Sequence, residues 1–249
     1  MIIDIHAHVW GKSPEGLLKT KNYLLKNIDK YGIDKVYISG LANYYSSEEE
    51  VAFLNNGVAE LMAEHKDRIG GAVYVNPEHK NTLDIIKKAT QEQGFEMIKL
   101  WCCTFADAPC VDPIMEYAEQ NGLPVLFHSF KKSSTQVPNE STGIHVANIA
   151  RRHPKTKILM AHLGGSAHDG IPAIRDLKNV WCDQSGSIYH GDDLNYAIEY
   201  LGAERILFGT DNAFLTNIGQ IMGADLTDDA RDLIFYKNAL KLLDPNFRL

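Results

Sequence analysis

Five residues of this chain carry the donor chemistry of a divalent metal site: His6, His8, His128, His162 and Asp211. His6 and His8 stand two apart in Asp4-Ile5-His6-Ala7-His8, so on an extended strand both imidazoles face the same way. The others close apolar runs: Pro124-Val125-Leu126-Phe127-His128, Ile158-Leu159-Met160-Ala161-His162 and Ile206-Leu207-Phe208-Gly209-Thr210-Asp211. Imidazoles with one carboxylate make a first-row metal site that keeps a position open for water. A single histidine at a strand end is most simply a packing or capping residue. A His-x-His pair with two further histidines and an aspartate is not explained by packing. Of the chain's 10 histidines, the remaining ones (His65, His79, His145, His153, His168, His190) fall in predicted helices or loops.

The elements that must position these residues follow from the hydrophobic pattern. Short runs of nearly continuous apolar character, as in parallel strands buried on both faces, occur at 2–6, 35–39, 70–75, 96–101, 124–128, 157–162, 179–183 and 205–209. Helical periods lie between them, at 17–31, 48–65, 81–93, 114–121, 144–153, 194–201 and from a cap near Thr227 to about Leu243. Gly32, Gly94, Gly122 and Gly202 stand where a helix stops before a strand. The alternation predicts one α/β domain over residues 1–249, a (β/α)8 TIM barrel with short loops. A doubly wound open sheet is the alternative. Gly164-Gly165 after strand 6 lacks the spacing of a nucleotide-binding loop. In a barrel the chemistry sits at the C-terminal strand ends, where all five residues fall.

The composition narrows the function classes. Lys and Arg number 25 against 32 Asp and Glu, a net charge of −7, with 45% hydrophobic and 23% charged residues. This is an ordinary globular balance without the basic stripe of a nucleic-acid binder. No apolar run is long enough to span a bilayer, and Met1-Ile2-Ile3-Asp4-Ile5-His6 does not resemble a leader peptide, so the expectation is a cytoplasmic protein with a small-molecule substrate. Cys102, Cys103, Cys110 and Cys182 lack the spacing of a disulfide framework and read as thiols or ligands.

The motifs Asp4-Ile5-His6-Ala7-His8, Leu126-Phe127-His128, Lys157–Gly165 and Arg205–Asp211 resemble the amidohydrolase superfamily, end to end along the chain. More narrowly, they resemble the amidohydrolase-2 branch, which holds aminocarboxymuconate-semialdehyde decarboxylase and aromatic-acid decarboxylases. The resemblance implies that His6, His8, His128 and Asp211 bind one metal, usually Zn2+, and that His162 contacts its water or the substrate oxyanion. In binuclear relatives His128 and His162 bind a second metal, bridged by a carboxylated lysine at the end of strand 4. Lys99, in Met97-Ile98-Lys99-Leu100-Trp101, stands at that position. A lysine inside an apolar strand must be neutralised or paired. The mononuclear look of the branch favours pairing, with Asp4 or Asp211, over carboxylation.

Other residues at the strand ends are candidates for substrate contact. Asp4 is expected on the face of His6 and His8, as a partner for an imidazole. Trp10, Trp101 and Tyr44 could line a pocket; His168 and Asn212 could reach the substrate, with a surface turn and a capping role as their plainer readings. Cys102 and Cys103 follow strand 4, and Lys131 and Lys132 lie in the polar loop 129–143. The preferred reaction is hydrolysis of a small amide, ester or lactone. The metal brings the pKa of water from 15.7 towards about 7, Asp211 acts as general base, and His162 steadies the oxyanion. A non-oxidative decarboxylase, a lyase, could use the same site; Arg151, Arg152 and Arg175 are the cations available to hold its diacid, and the short chain argues against lid insertions. A non-catalytic metal-binding protein is the third reading. Apolar Phe235, Leu240 and Leu242 in the last helix allow a homodimer.

Overall fold

In the computed structural model, which describes residues 1–41, 43–187 and 190–244, eight strands pair in parallel and in chain order. They are β1 (Ile3–Trp10), β2 (Lys35–Leu41), β3 (Ile69–Tyr74), β4 (Met97–Leu100), β5 (Val125–Phe127), β6 (Ile158–Met160), β7 (Val180–Asp183) and β8 (Ile206–Leu207). Backbone bonds join the last strand to the first: Ile5 N–H donates to the Phe208 carbonyl (2.9 Å) and Asp211 N–H to the His6 carbonyl (2.7 Å). The sheet is thus a closed barrel, and the open-sheet alternative falls away.

The helices α1 (Pro14–Lys30), α2 (Glu48–Glu64), α3 (Thr82–Glu92), α4 (Asp112–Asn121) and α5 (Gly143–Arg152) follow the predicted periods closely. Ser47 opens α2 with a capping box to Glu50, and Gly122 ends α4 in the left-handed conformation (φ 67°), where a side chain would be strained. Two helices escaped the sequence reading, α6 (Ala167–Ile174) and α8 (Phe214–Gly223). Both carry helix-weakening residues, Gly170 and Pro172 in α6 and Gly219 in α8, and tertiary packing overrides that weakness. The remaining helices are α7 (Gly191–Leu201), α9 (Asp228–Asp232) and α10 (Asn238–Leu243), the last two separated by a π-helical turn over Leu233–Lys237. No helix among the described residues is long and apolar enough to cross a membrane.

Two apolar layers fix the strands. One lies between sheet and helices, with Val36, Ile38, Val73, Ile98 and Ile158. The other fills the barrel's lower interior, with Ile3, Ile5, Tyr37, Met97, Leu126 and Leu159, and α10 plugs its base through Ala239 and Leu242. Leu242 is therefore buried with Leu240 packed on the same inner layer, while Phe235 is buried in the outer layer against Phe208. Leu242 and Phe235 are thus occupied within the barrel, and Leu240 is half-buried against it.

A bulge in β1 decides which face His6 presents. Asp4 pairs with Val36 and Ala7 with Ile38, three residues opposite two. One extra residue reverses the alternation of faces. Asp4, aligned with outward Val36, stands opposite in sense to His8, aligned with Ser39. The expectation that Asp4 shares the face of the two histidines is corrected accordingly. Its carboxylate instead accepts the His6 and Thr210 backbone N–H groups (3.0 Å each) and the Thr210 hydroxyl, tying β1 to the segment after β8.

Candidate metal centre

His6 and His8 project from β1 into the upper barrel, buried, with their Nε2 atoms 3.0 Å apart. His6 Nδ1 lies 3.0 Å from Asp183 Oδ2, and His8 Nδ1 lies 2.9 Å from Ser39 Oγ. An ionised carboxylate only accepts, so Asp183 keeps the His6 proton on Nδ1 and leaves a lone pair on Nε2. Asp211 Oδ1 stands 3.1 Å from His8 Nε2. The three donor atoms of His6, His8 and Asp211 thus converge within 4.8 Å of one another. Two imidazole nitrogens and a carboxylate oxygen converging at this range are a donor set that fits a divalent metal.

The surrounding charges agree with that reading. Burial pushes the His6 imidazole down to about 3, helped by the Lys99 ammonium and opposed by Asp183. Burial likewise lowers His8, against the pull of Asp211. For Asp211 and Asp183 burial works upward, but His8 with His162 and His6, in the first case, and chiefly His6, in the second, hold the carboxyls well below the usual range. The ligand set is therefore neutral imidazole and ionised carboxylate, the protonation states that metal binding requires.

His162 and Asp211 sit on strained backbone just beyond their strands. His162 (φ 60°), Leu163 (φ 48°), Asp211 (φ 46°) and Asn212 (φ 64°) all occupy left-handed conformations, which non-glycine residues rarely adopt. The turn at His162 lets Nδ1 reach the Ser185 carbonyl (3.2 Å), leaving Nε2 4.0 Å from Asp211 Oδ2. Gly186 makes this possible, since a Cβ there would lie 2.6 Å from His162 Nδ1.

His128 departs from the expected ligand set. Its Nε2 lies 3.0 Å from Glu140 Oε1, and it groups with Glu140 and Cys102 rather than with His6, His8 and Asp211. Its ring nevertheless stands beside His162, centroids 5.2 Å apart. Glu140 is buried and also accepts from Lys132 Nζ (2.7 Å), Gln136 Nε2 (2.8 Å) and the Val137 N–H (3.2 Å). The Lys132 charge is thereby paired inside the loop.

Lys99 is fully buried, as the strand pattern implied, but it pairs with neither Asp4 nor Asp211. Its Nζ lies 3.0 Å from His6 Nε2, and it forms no ion pair among the described residues. Burial lowers it to about 8, with Asp211 and Asp183 pulling the other way, so the ammonium persists at neutral pH.

The other candidates divide. Trp10 is 43% exposed and walls a cleft of about 600 Å³ that also holds Asp211 and Asn212. Asn212 clasps the His8 backbone, accepting from its N–H (2.7 Å) and donating to its carbonyl (3.0 Å). Trp101 packs on Tyr44 (4.9 Å between centroids) and edge-on to His128 (6.5 Å). His168 is exposed on α6 and packs on Tyr196 of α7. Cys102 and Cys103 are buried, and burial raises the Cys102 thiol to about 12. The three arginines proposed to hold a diacid face other partners: Arg151 reaches Asn148, Arg152 pairs with Asp112 of α4, and Arg175 lies over the Tyr200 ring. Sequence reasoning missed Asp183, Glu140 and Ser185. For Asp183 a signal existed, since it closes the seventh predicted strand.

Solved structures with this fold include the 2,6-dihydroxybenzoate decarboxylase from Rhizobium, with a TM-score of 0.80 and 17% identity over 99% of both chains. A dihydroxybenzoic acid decarboxylase from Polaromonas, with bound manganese and the inhibitor 2-nitroresorcinol, matches at a TM-score of 0.77 and 17% identity over 99% of this chain and 98% of the other. The 5-carboxyvanillate decarboxylase from Sphingomonas paucimobilis matches at 0.75 and 16%, over 97% and 98%. A search of curated proteins gives no match. The sequence model of the amidohydrolase family matches residues 3–244, spanning every strand of the barrel, and the chain belongs to that family, in its amidohydrolase-2 branch, as an enzyme.

Proposed function

We propose that this enzyme is a metal-dependent carboxy-lyase that removes CO2 from a small aromatic or muconate-type carboxylic acid. The observation that carries this reading is Lys99. A buried ammonium without an anion is costly, and a site that retains one is suited to an anionic substrate. The decarboxylases of 2,6-dihydroxybenzoate and 5-carboxyvanillate that share the fold support the same class. Their matches leave almost none of either decarboxylase chain outside the shared span, so no separate lid domain is needed and chain length ceases to argue against a lyase.

His6, His8 and Asp211 are the proposed ligands of one metal, Zn2+ by the imidazole-rich donor set. The resemblance adds His128, whose Nε2 must leave Glu140 to join them. Bound there, the metal supplies a Lewis acid that polarises a substrate oxygen. Lys99 binds the substrate's anionic oxygen from the side of β4. Decarboxylation replaces a C–CO2⁻ bond with C–H, so one proton must reach that carbon. The proposed proton donor is His162, whose Nδ1 lies 3.2 Å from the Ser185 carbonyl and whose Nε2 faces the ionised Asp211 at 4.0 Å. Nε2–H protonates the carbon, the C–C bond breaks, its electron pair returns to the unsaturated system, and CO2 leaves. Solvent then restores the proton to His162. The four free cysteines suit the reducing cytoplasm, where we place the enzyme.

Hydrolysis of an amide, ester or lactone is the second reading, favoured by Asp211 itself. Its side chain is ionised and 31% exposed, so it can take a proton from water, with His162 beside the oxyanion. Two panels of the metal-loaded enzyme decide between them: aromatic and muconate-type acids assayed for CO2, and lactones, esters and amides assayed for hydrolysis. CO2 release that Lys99→Met abolishes is expected. Hydrolysis with no CO2 from any acid would refute the lyase.

A further inference from the structure

A second convergence of metal-binding side chains lies at the ends of β4 and β5. Cys102, His128 and Glu140 place a sulfur, an imidazole nitrogen and a carboxylate oxygen within 4.8 Å of one another. The backbone fixes them there. Cys102 follows β4 and His128 follows β5, paired strands whose ends are joined by the His128 N–H donating to the Leu100 carbonyl (3.0 Å). The loop that carries Glu140 is tied to both. Phe130 N–H donates to the Ser141 carbonyl (2.8 Å), Ala106 N–H to Ser141 Oγ (2.8 Å) and Asn139 Nδ2 to the Cys103 carbonyl (3.1 Å). The Cys103 thiol meets the Tyr74 hydroxyl (3.3 Å), but the buried Cys102 thiol forms no hydrogen bond among the described residues.

Buried cysteines commonly serve as small apolar side chains. Apolar packing does not explain a thiol set against a buried carboxylate and an imidazole. Glu140 is also oriented as a ligand would be. Gln136 Nε2 (2.8 Å) and the Val137 N–H (3.2 Å) hold its Oε2, and Oε1 is turned to His128. We propose that Cys102, His128 and Glu140 form a second metal site, separate from His6, His8 and Asp211, for a borderline or soft divalent cation such as Zn2+ or Cd2+. A sulfur donor selects such ions over Mg2+ or Mn2+. Three protein donors leave a fourth position for water. On binding, the Cys102 thiol gives its proton to solvent, and the His128 proton moves from Nε2 to Nδ1. The Lys132 ammonium, 3.0 and 2.7 Å from the two Glu140 oxygens, draws back towards solvent, where its side chain is already 29% exposed. That competition makes this the weaker site, which dialysis empties while the barrel ion stays. His128 is the one donor both sites could use, and an ion here keeps it with Glu140. The inference is independent of the reaction that the barrel ion supports.

Titration of the zinc-loaded, dialysed protein with Co2+ tests it. A Co2+–thiolate bond gives a charge-transfer band in the near ultraviolet, and the barrel donors contain no sulfur. The band is expected to saturate at a single Co2+ per chain, to persist in His6→Ala with His8→Ala, and to vanish in Cys102→Ser. Lys132→Gln removes the competing ammonium and should reach half-saturation at about tenfold lower Co2+. No band in the unmodified protein, a band that survives Cys102→Ser, or one lost with His6 and His8 would overturn the site. Should Cys102→Ser fail to fold, Lys132→Gln decides, since an unchanged half-saturation refutes an ion on Glu140. No CO2 or hydrolysis assay enters, so failure of the carboxy-lyase reading leaves this result standing.

Discussion

Asp183→Asn separates the control of His6 from the ligands themselves. The carboxylate accepts from His6 Nδ1 (3.0 Å), the His162 N–H (3.0 Å) and the Ser185 N–H (3.1 Å), and from the Ser185 hydroxyl. Asparagine keeps one acceptor oxygen for the two backbone groups but turns an N–H₂ towards His6. Imidazole then takes its proton on Nε2, where the metal needs a lone pair. Loss of such an orienting partner weakens metal binding roughly 10- to 100-fold, or about 1.4–2.7 kcal/mol. The metal-free variant should melt close to the parent, because the backbone groups remain satisfied. Asp183→Ala, by contrast, strands two buried N–H groups and should lose roughly 2–6 kcal/mol, at about 1–3 kcal/mol for each. Competition with a chromogenic chelator gives the metal affinity, and thermal melting of the metal-free forms gives the stability. An Asp183→Asn protein that binds metal as tightly as the parent would refute the tautomer argument.

Asp211→Asn should lower kcat by about 10²- to 10⁴-fold, since it removes a proposed ligand carboxylate and the anion facing His162 Nε2, while the metal-free protein should melt close to the parent; near-normal turnover would sink the assignment. His6→Ala with His8→Ala should abolish metal content in elemental analysis, from about one ion per chain; two ions per chain in the parent would point instead to a Lys99 bridge. Lys99 gives a pH signature. Its folded pKa, about 8 against 10.5, means that the unfolded chain holds the proton more firmly, so metal-free stability should rise with pH from about 8 to 10.5 and Lys99→Met should remove that rise in urea titrations. Arg205, buried, donates to the carbonyls of Ile174 (3.0 Å), Arg175 (2.8 Å), Leu177 (2.8 Å) and Val180 (2.7 Å). Arg205→Ala should therefore cost roughly 3 kcal/mol or more in denaturant unfolding, a loss that a wild-type midpoint would contradict.

Strands at 2–6, 35–39 and 70–75 were readable because parallel strands buried on both faces leave unbroken apolar runs, and helix ends at Gly32, Gly94 and Gly122 because few residues other than glycine take a positive φ. His6, His8, His162 and Asp211 were readable because a barrel places its chemistry at strand ends, which are local features of the chain. Their partners were not. Asp183 lies 177 residues from His6, and nothing local says that its carboxylate meets that ring. The β1 bulge, which turns Asp4 away from His8, arises from pairing with β2 rather than from the residues it moves. Glu140 holds His128 only because the loop 129–142 folds back over the strand ends. The apolar residues of the final helix gave no sign in the chain of what they cover; the fold packs Ala239 and Leu242 into the barrel's base.

The order of side chains along the chain therefore determined the fold and the inventory of donors, because periodicity and turn chemistry act over a few residues. The tertiary structure decided which donors face one another, which carboxylate sets the proton on His6, and that Lys99 meets His6. Those relations depend on distances across the barrel, and they arise only once the eight strands have closed.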